Sequence, residues 1–266
     1  MQPSETLSAY RAPSLTLLAT EPLRALFEFV GAKVGARAAP VGDGHPVVVY
    51  PGLGGGALST SHLRRFLRDS GFDAHDWGGG VNTGPEGDLD PWLDGLVARV
   101  RTLHAQHGRK VSLVGWSLGG VFAREVAKRC PESVRQVITL GTPFNSMDGA
   151  NHAGTLYKLL GGDTSQLTPE MKRRLSTCPN VPTTSVYSRH DGVVCWQGCL
   201  ERVSPLAENI EVHASHLGMG TNAQVLRIVA DRLAQPEGRW RPYQRGRAAM
   251  RRARRTKVRP ATSPSR

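Results

Sequence analysis

Apolar and polar positions along this chain follow one repeated order: a short apolar run, a glycine-rich turn, then a segment whose apolar residues recur every three or four positions. Residues 46–50, 72–77, 111–116, 134–140, 183–187 and 209–212 are the short runs, and their length and β-branched content predict six buried strands. Helical spacing is clearest at 91–107, where Trp92, Leu93, Leu96, Val100 and Leu103 share one face. It recurs through Leu63, Phe66 and Leu67, from 118 to about 130, and over 223–234. Between 21 and 37 the residues Leu23, Leu26, Phe27, Val30 and Val34 predict a further amphipathic helix. Its apolar stripe is expected to pack on the body, with a membrane-surface role as the rival reading. Strands alternating with helices of 10–15 residues predict an α/β fold, a mostly parallel sheet of about six strands with helices on both faces.

Composition adds a second feature. The chain has 266 residues and a net charge of +12, yet 239–266 holds eleven Lys/Arg and no Asp/Glu. The remainder is therefore almost neutral, which argues against a nucleic-acid-binding fold and for a globular body with a cationic arm. That arm has no apolar period and is expected to be disordered, with an anionic membrane surface as one candidate partner. No apolar run is long enough to span a bilayer. Glu5 precedes the short apolar stretch at 14–19 and charged residues follow it, so no secretory signal is expected and a cytoplasmic location is. Four cysteines at 130, 178, 195 and 199 are too few for a disulfide scaffold. Cys195 and Cys199 are close enough to pair, but reduced thiols are the favoured reading. No spacing of ligand residues suggests a metal, and no cofactor is expected.

The chemistry concentrates at Gly115-Trp116-Ser117-Leu118-Gly119, which sits between an apolar strand and a helix. Two glycines there allow a turn sharp enough to expose a serine hydroxyl at the sheet edge. Such a serine needs a base and an acid that orients the base. Asp191 follows the strand at 183–187 and His216 follows the strand at 209–212, both at strand C-terminal ends. His213 is the rival base; Glu201 and Glu208 are weaker rivals to Asp191. Backbone N–H groups of Leu118 and of Leu53, in the loop Pro51-Gly52-Leu53-Gly54-Gly55, are the expected oxyanion donors. The same loop lacks the lysine and the glycine spacing of a nucleotide site.

With PGLGG, GWSLGG, HDG and SHLGMG in this order, the chain resembles the α/β-hydrolase superfamily over about residues 45–234. PGLGG followed by Gly141-Thr142-Pro143-Phe144 is similar to bacterial lipases and lipase-like esterases, although Trp116 and Phe144 replace residues usual there. The resemblance implies a compact α/β-hydrolase fold over 41–238, a helical cap inserted at about 145–178, an N-terminal extension over 1–40 and a tail from 239. It also implies a cofactor-free serine hydrolase of medium- or long-chain carboxylic esters acting through an acyl-enzyme. Trp116, Phe144, Leu156 and Leu160 are the expected substrate contacts; the insert's apolar residues read equally well as the core of two packed helices. An acyltransferase with the same triad and a non-catalytic binding protein are the alternatives.

Overall fold

The computed structural model describes residues 10–35, 41–146 and 168–244. Among these residues, six strands form one sheet: β1 (Pro46–Tyr50), β2 (Asp73–Asp76), β3 (Val111–Trp116), β4 (Val134–Leu140), β5 (Thr183–Tyr187) and β6 (Ala207–Glu211). Their order is β2-β1-β3-β4-β5-β6, and every pairing is parallel. All C-terminal strand ends therefore lie along one edge, where the connecting loops gather.

Among the described residues, six α-helices accompany the sheet: α1 (Leu15–Gly35), α2 (Ser61–Asp69), α3 (Leu89–His107), α4 (Leu118–Arg129), α5 (Pro169–Ser176) and α6 (Ala223–Leu233). Strand β1 shows why two layers of helix are needed. It is buried along its whole length, so both faces of its pleat must be covered. Val47 and Val49 join the cluster containing Leu63, Leu67, Leu226 and Val229 of α2 and α6. Val48 and Tyr50 join the opposite cluster with Leu93, Val100, Phe122 and Val126 of α3 and α4.

Four of the six strands match the runs read from the sequence, at 46–50, 111–116, 134–140 and 183–187. The sixth starts two residues early because Glu208 belongs to it. Its carboxylate is held inside by Thr184 Oγ1 at 2.9 Å and Arg232 Nη1 at 3.1 Å, so a charge disguises a buried strand.

Helix α1 departs further. It begins six residues before the predicted start, with Ser14 Oγ accepting Leu17 N–H at 3.3 Å, and it runs through Pro22. Its expected mode of packing is inverted. Leu23, Leu26, Phe27 and Val30 are more than half exposed, while Glu21 is 2% exposed. The helix meets the body through its acidic face.

Of the expected cap, α5 is described; residues 147–167 lie outside the described residues, as does the tail from 245. The first residues of the tail run along the body. Tyr243 N–H donates to Glu208 Oε2 at 2.6 Å, and Arg232 Nη1 donates to the Arg241 carbonyl at 2.6 Å. All four cysteines are free thiols. Among the described residues, no helix is long and apolar enough to cross a membrane.

Candidate active site

Strand β3 ends at Trp116 and α4 begins at Leu118, leaving one residue for the turn. That residue, Ser117, has φ 54° and ψ −125°, the one positive φ outside glycine among the described residues. Such a conformation costs on the order of 1–3 kcal/mol and survives only where surroundings hold it. Ser117 N–H donates to the Leu140 carbonyl at 2.8 Å, and Thr142 Oγ1 donates to the Ser117 carbonyl at 2.9 Å. The glycine at 115 is needed for closeness: a Cβ there would stand 2.3 Å from Gly120 Cα.

Loops after β5 and β6 bring the other two predicted residues to this serine. His216 Nε2 is 3.0 Å from Ser117 Oγ, and His216 Nδ1 is 2.7 Å from Asp191 Oδ2. The second oxygen of Asp191 accepts the N–H groups of Val193 and Val194, both at 2.8 Å, which fixes the carboxylate plane. All three residues are buried. Burial alone would lower the His216 pKa, but the charge and hydrogen bond of Asp191, with the charge of Glu21, raise it above 6.5.

The sequence rivals fall elsewhere. His213 is exposed and does not continue the strand; its ring lies 5.0 Å from that of His190. Glu201 is paired with Arg124, and Glu208 with Arg232.

The loop after β1 passes beside the serine, since a Cβ on Gly52 would lie 3.2 Å from Ser117 Cβ. A residue missed by sequence reasoning holds this loop: Asn82, fully buried. Asn82 Nδ2 donates to the Pro51 carbonyl at 2.8 Å, its N–H to Gly55 at 2.7 Å, and its carbonyl accepts Gly54 N–H at 2.7 Å. Among the described residues, the N–H groups of Leu53 and Leu118 have no hydrogen-bond acceptor. The only sequence signal for Asn82 was its place in a polar, glycine-rich loop.

Two expected substrate contacts can be located. Trp116 is partly exposed and donates Nε1–H to the His216 carbonyl at 3.1 Å, so it also steadies the histidine loop. Phe144 is 1% exposed, and the Arg124 guanidinium lies 3.7 Å over its ring. Its surface is used in supporting a buried cation. Leu156 and Leu160 lie outside the described residues.

One group with ligand-like spacing escaped the sequence reading. Asp73, His75 and His107 place one ligand atom each within 4.8 Å of one another. Asp73 opens β2 opposite Pro46, at the sheet edge remote from Ser117, and its Oδ2 is within 2.8 Å of His75 Nε2 and 3.3 Å of His107 Nε2.

A family model described as Palmitoyl protein thioesterase matches residues 46–190, more than half of the chain. The chain belongs to the palmitoyl protein thioesterase family. The match carries Ser117 and the loop at Pro51, and it ends one residue before Asp191. A curated relative, pimeloyl-[acyl-carrier protein] methyl ester esterase of Shewanella woodyi, is 29% identical over 130 residues, 48% of each chain. This palmitoyl protein thioesterase family member thus spans about half the length of that relative. Lipase B of Aspergillus fumigatus aligns with a TM-score of 0.57 and 16% identity, over 76% of this chain and 55% of that one. Mature lipase BlEst2 of Bacillus licheniformis aligns with a TM-score of 0.55 and 20% identity, over 74% and 97%. At these identities the alignments speak to fold alone, the α/β-hydrolase fold, while the family match carries the chain's membership of that superfamily.

Proposed function

We propose that this protein is a serine hydrolase that cleaves acyl esters or thioesters through an acyl-enzyme on Ser117. The reading rests chiefly on one observation: His216 lies within hydrogen-bond reach of both Ser117 Oγ, at 3.0 Å, and Asp191 Oδ2, at 2.7 Å. Ser117 Oγ attacks the acyl carbon while His216 Nε2 takes its proton, and Asp191 holds the imidazole tautomer and stabilises the imidazolium. Carbonyl oxygen charge is met by the N–H groups of Leu118, at the positive start of α4, and of Leu53. Collapse of the intermediate expels the alcohol or thiol, which takes its proton from His216. Water then enters by the same route and releases the acid.

Family membership supports an ester or thioester rather than an amide. The relatives' names concern acyl groups carried on oxygen or sulfur, which supports a medium or long acyl chain here as well. The test is a panel of acyl esters and acyl thioesters of rising chain length, with and without an added primary alcohol. Free acid from the wild type and a loss of about 10³-fold or more in Ser117→Ala are expected. A new ester formed faster than acid would make the protein an acyltransferase. No turnover of any acyl donor would overturn the reading.

A further inference from the structure

Resting on the reading just given, we propose that Glu21, on α1 and outside the family-matched residues, is a positioning residue that holds the Asp191 loop and the His216 loop in register. One carboxylate meets backbone donors from both loops. Glu21 Oε1 accepts the N–H of Gly192 at 2.7 Å and of His216 at 3.0 Å, and Oε2 accepts the N–H of Leu217 at 3.0 Å. Its side chain is 2% exposed, so these donors, with Arg24 Nη2 at 2.8 Å, compensate a charge that water no longer solvates. Arg24 extends the clamp: Nη1 donates to the His190 carbonyl at 2.6 Å, on the residue before Asp191.

Two helical turns along the same face, Glu28 repeats the device. Its Oε1 accepts Ser215 N–H at 2.7 Å, and its Oε2 accepts Asn222 Nδ2–H at 3.0 Å. Residues on both sides of Asp191 and of His216 are thus anchored to one rigid helix. The docking is close, since a Cβ on Gly192 would lie 2.5 Å from the Leu17 backbone. This accounts for the inverted packing of α1: its acidic face is committed to the two loops, and Leu23, Leu26, Phe27 and Val30 are left outside.

The consequence is geometric and electrostatic. A separation of 3.0 Å between His216 and Ser117 depends on two loops that otherwise meet through the Asp191–His216 bond and through Ala214 N–H to Ser188 Oγ at 3.3 Å, and a misplacement of about 1 Å costs on the order of 10²-fold in rate. A carboxylate beside the imidazole also favours the charge His216 gains during attack. Asp191 faces His216 from the β5 loop, Ser117 from the β3 turn, and Glu21 from α1 with Arg24 beside it. Glu28 reaches the same loop through Ser215, and His190 and His213 stack on each other at 5.0 Å.

The experiment measures kcat, KM and the pH profile of kcat/KM for full-length wild type, Glu21→Gln and Arg24→Met, with folding checked by circular dichroism. Glu21→Gln is expected to lose roughly 10- to 100-fold in kcat with KM little changed, and its acid limb should move to lower pH. Arg24→Met removes a positive charge and should move the limb to higher pH. Opposite shifts are a signature that loosened packing does not produce. Should Glu21→Gln fail to fold, the direction of the Arg24→Met limb decides. Folded variants with wild-type kcat and an unmoved limb would overturn the proposal while the wild type still turned over substrate. A wild type that neither turns over acyl donors nor reacts with a fluorophosphonate would overturn the hydrolase reading instead, and the clamp with it.

Discussion

Thr142 Oγ1 donates to the carbonyl of Ser117 at 2.9 Å, linking the segment after β4 to the one non-glycine residue with positive φ among the described residues. The bond is buried, so no water stands ready to replace it. Thr142→Val keeps the shape and removes the donor, leaving a buried carbonyl without this partner. That carbonyl keeps the N–H of Gly120 at 3.0 Å, so the expected cost is that of one net hydrogen bond, about 0.5–1.5 kcal/mol in denaturant unfolding. Because the bond helps to hold Ser117 at φ 54°, kcat should also fall, by about tenfold or more. Unchanged stability and turnover would mean that the turn is held without it.

Asn82 does for the loop after β1 what Thr142 does for the serine turn. With Asn82→Ala, the Pro51 carbonyl loses a donor at 2.8 Å and the Gly84 N–H loses its acceptor at 3.1 Å. If Leu53 N–H meets the oxyanion, this loosening should lower kcat by about 10- to 100-fold, less than the loss expected from deleting an oxyanion donor outright. The test is steady-state kinetics on a short-chain ester, with KM expected to change little.

On the proposed mechanism, the direction of the His216 pKa, raised by Asp191 against the effect of burial, places the acid side of the activity profile. A general base must be neutral, so kcat/KM should fall as pH drops through the His216 pKa, with a midpoint above 6.5. Asp191→Asn removes the leading cause of the rise, so its residual activity should show an acid limb at lower pH. A wild-type limb below pH 6 would contradict the proposed role.

A second histidine predicts a stability effect of the opposite sign. His45 is buried against Ser112 Oγ at 2.8 Å, and burial pushes its pKa down to about 4. The unfolded chain binds this proton below about 6.5 and the folded chain does not, so stability is lost as pH falls from 6.5 towards 4. The full difference amounts to about 3 kcal/mol. Urea midpoints at pH 7, 5.5 and 4.5 should converge between wild type and His45→Asn as the pH falls.

The legible parts of this chain were those where local pattern and tertiary environment agree. Strands β1, β3, β4 and β5 are uncharged or nearly so and buried up to at least their last residue but one, so their apolar runs mark them without help. Ser117, Asp191 and His216 follow strand ends, and a parallel sheet brings strand ends to one edge whatever the intervening residues are. Asn82 and Glu21 were illegible for the converse reason. Each acts on backbone groups far away in sequence, 31 residues from Pro51 and 195 from His216, and a backbone partner leaves no side-chain signature. Glu21 was hidden further by the apolar stripe of its own helix, which points attention to the wrong face. The contact of Phe144 with Arg124 was illegible as well, because nothing in the sequence shows that a buried cation uses an aromatic ring as its support.

The central claim, that His216 activates Ser117, is tested most directly by fluorophosphonate labelling followed by intact-mass and peptide analysis. The wild type should take one label, on Ser117, while Ser117→Ala and His216→Ala, both folded, should remain unlabelled on the same timescale. Labelling at another residue, or labelling of His216→Ala as fast as the wild type, would contradict the account.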